Sequence, residues 1–209
     1  MITYPLAKRI FDILFAGFFL VLLSPLFLIA ALLIKASSPG PVFYRGVRVG
    51  QGSRLFRIYK FRTMVVDAEK KGASSTAEDD PRLTHLGRFL RQFKLDELPQ
   101  LINVFLGQMS VVGPRPQVEW AVRLYSEEER KLLSVPPGIT DYASIKFRNE
   151  AAILAGSRDP DGDYLKKIAP EKIRLGLEYV KHRSFVLDLK IIFATALALL
   201  GLEVGDEIL

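Results

Sequence analysis

Asp96 and Glu97 are adjacent carboxylates at a point where the sequence predicts the start of a helix. The apolar residues between 101 and 106 and the stop at Gly107 predict a helix with Pro99 in its first turn. Acidic residues are common at such a start because they cap free N–H groups and face the positive end of the helix dipole. The pair by itself therefore fits either a structural cap or a reaction centre.

If the pair is chemical, its two carboxylates suit different tasks. Adjacent residues on a helix point about 100° apart, so Asp96 and Glu97 would not share one proton. The helix dipole, together with Arg91 and Lys94, predicts a low pKa for Asp96. Such an aspartate would stay ionised and could act as a nucleophile.

Arg115 stands between Pro114 and Pro116, and Gly113 precedes this Pro-Arg-Pro sequence. Two prolines leave the backbone little freedom, which suits the placement of a guanidinium against an anionic group. The same residues are equally typical of a turn.

Basic residues dominate the segment from Ala36 to Val66, which contains no acidic residue. Anionic lipid headgroups would attract such a surface by roughly 1 kcal/mol per basic side chain. A phosphate or diphosphate is a second partner, because arginine offers it paired donors. Nucleic acid is the least favoured, since a long uncharged run precedes the segment. The basic residues are Arg45, Arg48, Arg54, Arg57, Lys60 and Arg62.

Composition excludes several classes of site. The chain has 209 residues, a formal charge of +6 and 49% apolar residues, which is enough for one domain with a sizeable core. It contains no cysteine, so disulfide scaffolds, cysteine zinc sites and thiol nucleophiles are excluded. His85 and His182 have no partner at metal-ligand spacing and are interpreted as structural.

The uncharged run extends from Ile13 to Ile34. At about 1.5 Å per helical residue it is long enough to cross a hydrocarbon core of about 30 Å. Ser24 and Pro25 interrupt it near the middle, where a proline bends a helix. Positive charge flanks both ends, so a spanning helix, the simpler interpretation, and a segment that re-enters the cytoplasmic face both remain open.

The remaining chain is predicted to be α/β, mostly helical, with a small β-hairpin. The hairpin pairs residues 41–44 with residues 55–61 and contains a turn at Gly50-Gln51-Gly52.

Two further helices and two loops are predicted from a capping residue, an apolar stretch and clusters of polar residues. Thr84 is predicted to cap a helix, and residues 191–202 to form a core or interfacial helix too short to span a membrane. Residues 70–80 are predicted to be a loop or a flexible lid. Residues 157–163 are predicted to be a loop with Asp-Pro and Asp-Gly turns.

An ordered set of motifs after Ser24-Pro25 resembles that of bacterial sugar transferases, specifically the monotopic phosphoglycosyl transferases. The order makes the resemblance highly specific, and it covers nearly the whole chain, including residues 184–190. The motifs are Lys60-Phe61-Arg62-Thr63-Met64, Asp96-Glu97-Leu98-Pro99-Gln100, Val111-Val112-Gly113-Pro114-Arg115-Pro116 and Pro137-Gly138-Ile139-Thr140.

The resemblance implies transfer of a phosphosugar from a UDP-sugar to polyprenol (undecaprenyl) phosphate, with release of UMP and with Mg²⁺. It implies a ping-pong exchange through a covalent phosphosugar-aspartate, at the start of membrane glycoconjugate and polysaccharide synthesis. It also implies a re-entrant helix-break-helix, and so favours that topology over spanning. Residues 141–150 depart from the pattern of many larger relatives, so the sugar is not specified. We expect the minimal catalytic form, without the additional N-terminal membrane domain of larger relatives.

The resemblance also assigns roles by position. Asp96 resembles the nucleophile, Glu97 the magnesium ligand and Arg115 the phosphate-binding arginine of the Pro-Arg-Pro loop. Further candidates for binding substrate phosphates are Lys60, Arg62, Arg91 and Arg148, and the re-entrant motif comprises Lys8, Arg9, Ser24 and Pro25.

We therefore expect one catalytic domain over residues 1–209, with a membrane anchor at 1–36 and a catalytic region at 37–209 supported by interfacial amphipathic helices. The expected location is the cytoplasmic face of the bacterial inner membrane. Expected partners are a UDP-sugar, polyprenol phosphate and membrane lipid, with oligomeric state left open. The competing hypothesis is a non-catalytic membrane adaptor whose basic face binds anionic lipid or an acidic partner. It requires neither the carboxylate pair nor the Arg115 loop.

Overall fold

The computed structural model describes residues 3 to 202, so residues 1–2 of the expected anchor and 203–209 of the expected catalytic region lie outside the described residues. Helices predominate in this range, as predicted. They are α1 (Tyr4–Leu22), α2 (Ser24–Ser37), α3 (His85–Gln92), α4 (Gln100–Phe105), α5 (Glu119–Arg123), α6 (Tyr142–Lys146), α7 (Glu150–Ile153), α8 (Pro160–Lys167), α9 (Ala169–His182) and α10 (Phe185–Leu199). The strands are β1 (Phe43–Tyr44), β2 (Val47–Val49), β3 (Leu55–Arg57), β4 (Lys60–Phe61), β5 (Ser110–Val112) and β6 (Gly138–Thr140).

The N-terminal apolar run forms two helices, α1 and α2, that meet at Leu23 with a bend of 61°. Pro25 lies in the first turn of α2, where the missing N–H breaks no helical bond. The Ser24 hydroxyl donates to the carbonyl of Val21 at 2.8 Å. Within residues 3 to 202, no single helix is long and apolar enough to cross a membrane, whereas the bent pair taken together is. The predicted interruption at Ser24-Pro25 is confirmed.

One face of α1 is apolar and open. Leu14, Phe18 and Val21 are 67%, 62% and 76% exposed, while Ala16 on the other face is fully buried. That inner face joins the main core, where it packs with residues of α4, β5, α9 and α10. An exposed apolar face of this length marks a membrane or protein contact. The anchor is thus packed onto the domain rather than tethered to it.

The predicted hairpin is confirmed. β2 pairs antiparallel with β3 and β1 with β4, so that Phe43 lies opposite Phe61. A 3₁₀ turn connects β2 and β3, and its Gly52 adopts a φ of 63°, which glycine accommodates without strain. A separate parallel pair joins β5 to β6, with Ser110 opposite Gly138, and was not predicted.

Two predicted boundaries differ from the structure. The prediction of a loop over residues 157–163 is wrong, because α8 begins inside it. Asp159 caps this helix by accepting from the N–H of Gly162 at 3.0 Å, and Pro160 occupies the first turn. The predicted helix at 191–202 begins earlier, because Ser184 caps α10 by accepting from Leu187 at 3.2 Å.

The Thr84 cap is confirmed, with the threonine oxygen accepting from the N–H of Gly87 at 2.9 Å. Before it lies the 67–83 segment, which contains the predicted loop at 70–80. Arg82 pairs with Asp80 and donates to two carbonyls of the segment. Asp161 of α8 accepts from the N–H groups of two serines in the segment at 2.7 and 3.0 Å. The loop is confirmed, and its role as a lid stays a prediction.

Candidate active site

The carboxylate pair lies in a 3₁₀ turn, Leu95–Glu97, between α3 and α4. Lys94 precedes the turn with a φ of 56°, the left-handed conformation that redirects the chain after α3. The prediction of a helix with Pro99 in its first turn and the pair at its start is wrong in its boundary, because α4 begins at Gln100 with Pro99 as its cap. Proline lacks the N–H that an α-helical bond would need there, so the chain makes 3₁₀ bonds before α4 starts.

Glu97 is held by two cations from distant parts of the chain. Arg115 donates through both terminal nitrogens, one of them to Oε2 at 3.0 Å and the other to Oε1. The ammonium of Lys60 donates to the same Oε1 at 2.7 Å. Burial alone would raise the pKa of Glu97, but these two charges and their hydrogen bonds hold the pKa well below its usual range. Glu97 is therefore ionised and already partly neutralised.

Asp96 differs from Glu97 in its contacts and in the direction of its pKa shift. It is 6% exposed, and within the described range neither Lys60 nor Arg115 donates to it. Burial, reinforced by the adjacent charge of Glu97, raises the pKa of Asp96, while the charges of Lys60 and Arg91 act against this. The predicted low pKa is thus wrong, because the helix dipole begins beyond the pair and desolvation outweighs it. Asp96 is thus a buried carboxylate to which neither Lys60 nor Arg115 donates, although both lie beside it at Glu97.

The Arg115 loop is fixed by β6. Gly113 donates to the carbonyl of Thr140 at 3.0 Å, and a Cβ on Gly138 would lie 2.1 Å from the nitrogen of Gly113. The loop and β6 therefore approach each other at a distance that only glycine permits. Asp141 accepts from the N–H of Arg115 at 3.2 Å and also caps α6. From this fixed backbone the guanidinium of Arg115 extends to Glu97.

The structure separates the other basic candidates. Arg62 is buried and donates to the carbonyls of Ser38 and Pro39 at 2.8 and 2.7 Å, at the end of α2. Arg148 donates to the carbonyl of Ala198 in α10. Arg91 is half-buried in the last turn of α3, where its charge reaches Asp96. Lys60 and Arg115 thus gather at Glu97, and phosphate binding by Arg62, Arg91 and Arg148 stays a prediction.

The polar residues of α1 connect the anchor to this region. Lys8 donates to Asp188 at 2.8 Å in a buried pair, to which Tyr4 also donates at 3.1 Å. Arg9 donates to carbonyls at the end of α4, and Asp12 accepts from the start of β5. No role for Asp12 was predicted from the sequence. The available signal was the spacing of Tyr4, Lys8 and Asp12, four residues apart on one face of a helix that is otherwise apolar except for Arg9.

A cavity of about 220 Å³ opens behind Arg115, between α5, α6, α8 and α9. Its polar lining includes Arg115, Asp141, Tyr164 and Lys172, and its remaining wall is largely apolar.

The carboxylate pair suits a magnesium ion in its donor chemistry. Among residues 3 to 202 no group of three or more His, Cys, Asp or Glu side chains gathers as a metal cage. Mg²⁺ is commonly held through one or two carboxylates together with substrate phosphates, and it keeps several waters. Asp96 and Glu97 supply this number of carboxylates beside cations that attract phosphate.

Comparison with known proteins shows one consistent similarity. A family model described as bacterial sugar transferase matches residues 3–201. The chain is 39% identical over 198 residues to the UDP-glucose:undecaprenyl-phosphate glucose-1-phosphate transferase of Escherichia coli (strain K12), covering 91% of this chain and 39% of that protein. It is 38% identical to the UDP-N-acetylgalactosamine-undecaprenyl-phosphate N-acetylgalactosaminephosphotransferase of Aeromonas hydrophila, covering 92% of this chain and 43% of that protein.

A shorter relative matches over almost its full length. The chain is 39% identical to the exopolysaccharide production protein PSS of Rhizobium leguminosarum bv. phaseoli, over 91% of this chain and 94% of that protein. The chain thus spans about two-fifths of the first two relatives and nearly all of the third.

Proposed function

The chain belongs to the bacterial sugar transferase family, and we propose that it transfers a sugar phosphate from a UDP-sugar to undecaprenyl phosphate with release of UMP. One observation carries the proposal: Glu97, clamped by Arg115 and Lys60, lies next to an Asp96 that neither cation engages. Two relatives are named for transfer of a sugar phosphate to undecaprenyl phosphate, which supports the substrate classes.

The first step is attack by a carboxylate oxygen of Asp96 on the phosphorus that bears the sugar. The bond from that phosphorus to the bridging oxygen breaks, and UMP leaves with the electron pair. The sugar phosphate is then carried on Asp96 as an acyl phosphate. In the second step a phosphate oxygen of undecaprenyl phosphate attacks the same phosphorus, which frees Asp96 and forms the lipid diphosphate sugar.

The cations at Glu97 prepare this chemistry. A diphosphate brings several negative charges, so a carboxylate approaches it only where those charges are neutralised. Arg115 offers a planar pair of donors that matches phosphate oxygens, and Lys60 offers a point charge beside it. Glu97 keeps both cations in place while the substrate is absent.

Glu97 is the residue that would hold Mg²⁺, and Asp96 beside it is the nucleophile. When bound, the ion supplies further neutralisation of the diphosphate oxygens. Arg91 adds positive charge on the α3 side of Asp96.

We place the reaction on the cytoplasmic face of the bacterial inner membrane, with α1 and α2 as a re-entrant anchor. The bend at Leu23 and the open apolar face of α1 support this topology. A spanning helix would carry the polar residues of α1 away from the partners that they bind in the domain. The acceptor is a lipid phosphate, so a site held against one membrane face meets it at the level of the headgroups.

The test is a UMP-release assay on the full chain in vesicles that contain undecaprenyl phosphate, with mixed UDP-sugars and Mg²⁺. We expect UMP to form with wild-type protein and not with Asp96→Asn, which keeps the shape of the side chain but removes the nucleophile. A chain that binds anionic vesicles but releases no UMP from any UDP-sugar would instead be a membrane adaptor.

A further inference from the structure

One turn of α1 holds both sides of the corner between α4 and β5. Arg9 donates to the carbonyls of Val104 and Phe105, at the end of α4, at 2.6 and 2.8 Å. Three residues later, Oδ1 of Asp12 accepts from the N–H of Val111 at 2.9 Å and from the hydroxyl of Ser110 at 3.1 Å. Helix α1 is thus hydrogen-bonded to both sides of the turn that connects α4 to β5.

The two segments that leave this corner lead to the two partners of the active-site ion pair. α4 begins three residues after Glu97, and β5 ends three residues before Arg115. Their far ends meet again where Arg115 donates to Glu97. The chain from Glu97 to Arg115 is therefore a loop closed by the ion pair at one end and held by α1 at the other.

The hydrogen bonds between Asp12 and β5 are buried, and they lie on the edge of the strand that does not face β6. Asp12 is 3% exposed and Ser110 is fully buried. The other edge of β5 pairs with β6. A carboxylate that accepts two hydrogen bonds in such surroundings makes stronger contacts than a neutral acceptor would.

The backbone between Val111, which Asp12 contacts, and Arg115 has little conformational freedom. Between Val111 and Arg115 the backbone is bonded to Thr140 at Gly113 and restricted by proline at Pro114. A displacement of Val111 is therefore passed on to Arg115 rather than absorbed by the loop.

We propose that Asp12 is a positioning residue for Arg115, which sets the place from which the guanidinium reaches Glu97 and the substrate phosphate. The inference rests on the proposed function for its kinetic test. The competing explanation is that Asp12 only attaches α1 to the domain. Under that explanation its loss weakens the fold without acting through Arg115.

A double-mutant cycle separates the two explanations, with single-turnover UMP release as the measurement. Asp12→Ala removes both contacts to β5, and we expect UMP release to fall by about tenfold or more because misplacement of a binding group is costly. Asp12→Asn keeps an oxygen at Oδ1 that accepts from Val111, so it should restore most of the rate. Binding to undecaprenyl-phosphate vesicles should be unchanged in both.

The decisive comparison is Asp12→Ala in an Arg115→Lys background. If Asp12 acts through Arg115, the double variant should be within about threefold of Arg115→Lys alone, since the misplaced group is already impaired. In a Lys60→Met background, where Arg115 is intact, the loss from Asp12→Ala should appear in full. If Asp12→Ala lowers the rate of UMP release by the same factor in the Arg115→Lys and Lys60→Met backgrounds, the proposal is overturned.

Two further measurements keep the test independent of folding and of the proposed reaction. If Asp12→Ala does not fold, Ser110→Ala removes one donor to the same oxygen and enters the same cycle. Hydrogen exchange of the peptide 110–116 should be faster in the Asp12 or Ser110 variant than in wild type, and unchanged exchange there counts against positioning even if the chain releases no UMP. If the wild-type chain releases no UMP but the variants still show the faster exchange of peptide 110–116, only the proposed function is refuted.

Discussion

Arg115 donates through both terminal nitrogens to the two carboxylate oxygens of Glu97, across 18 positions of the chain. The planar guanidinium and the planar carboxylate match each other in this arrangement, as two parallel hydrogen bonds require. A phosphate group presents oxygens of the same kind, so under the proposed function we expect the substrate phosphate to accept from the same two donors.

Replacement of Arg115 by Lys tests this two-donor geometry. A single ammonium cannot reproduce a bidentate contact, so we expect Arg115→Lys to keep the fold and lose activity by about tenfold or more. Initial rates of UMP release at saturating UDP-sugar measure the loss, and the thermal transition controls for folding. Near-normal turnover would reduce Pro114-Arg115-Pro116 to a structural turn.

Asp96→Asn tests the covalent step. Wild-type protein mixed with UDP-sugar and Mg²⁺, without lipid, should release up to about one equivalent of UMP and exchange labelled UMP into UDP-sugar. Asp96→Asn should do neither, because an amide is a far poorer nucleophile. Mass spectrometry of the quenched wild-type protein should map a phosphosugar to Asp96. An adduct on another residue, or exchange that persists in the variant, rules the assignment out.

Glu97→Gln tests the magnesium role. A neutral amide oxygen is a poorer ligand for a hard cation, so activity should fall severely and part of the loss should be recovered at higher Mg²⁺. The measurement is a magnesium titration of UMP release, with Lys60→Met as a control that disturbs Glu97 but leaves its carboxylate. If the loss in Glu97→Gln is the same at every magnesium concentration, Glu97 acts only as an anchor for Arg115 and Lys60.

Single cysteines test the topology of the anchor, because the chain contains no other cysteine. Thr3 and Ala36 are both exposed and lie at opposite ends of the helix pair. Cysteines at both positions should be labelled only from the cytoplasmic side, because a re-entrant pair returns to the face from which it enters. Replacing Ser24 and Pro25 together by Ala and Leu should favour spanning, since the break disappears while the length remains. In an otherwise unchanged anchor, labelling of either cysteine from outside would indicate a spanning helix.

The ion pair between Asp80 and Arg82 in the 67–83 segment predicts a pH-dependent contribution to the stability of the fold. Hydrogen bonds from Arg82 lower the pKa of Asp80. A lowered pKa in the folded state contributes stability above the unfolded pKa of about 3.9, and this stability is lost as the pH falls through the folded pKa. Asp80→Asn should therefore destabilise the protein by about 1–2 kcal/mol at pH 7. The difference from wild type should shrink below pH 4.

Thermal unfolding in detergent at both pH values measures this effect. Asp67→Asn is the matched control, because its pair with Lys70 is exposed and should change stability by less than about 0.5 kcal/mol. An Asp80→Asn penalty that is equally large at pH 3 and pH 7 would show that shape rather than charge holds the segment.

Features that depend on a few neighbouring residues were predictable. The break at Pro25, the cap at Thr84 and the left-handed Gly107, with a φ of 79°, each follow from the conformational preference of one residue type. The missed start of α8 is of the same kind, since Asp159 and Pro160 are standard signals that the surrounding polar residues obscured.

Features that depend on the meeting of distant segments were not predictable. Nothing in the spacing of Glu97 and Arg115 shows that they pair, and the parallel contact of β5 with β6 depends on the folded path between them. The raised pKa of Asp96 is of this kind as well, because burial is a property of the whole fold. The resemblance supplied the candidate site residues, while their contacts and the directions of their pKa shifts required the structure.

The polar contacts of α1 also set an order for biosynthesis. The partners of Arg9 and Asp12 follow them by 95 to 99 residues, and Asp188 follows Lys8 by 180 residues. At a synthesis rate of about 5–20 residues per second, Lys8 leaves the ribosome on the order of 10–40 seconds before its counter-ion. During that interval the ammonium of Lys8 lacks the buried partner that it has in the folded chain. The contact between α1 and Asp188 therefore forms only after α10 has been synthesised.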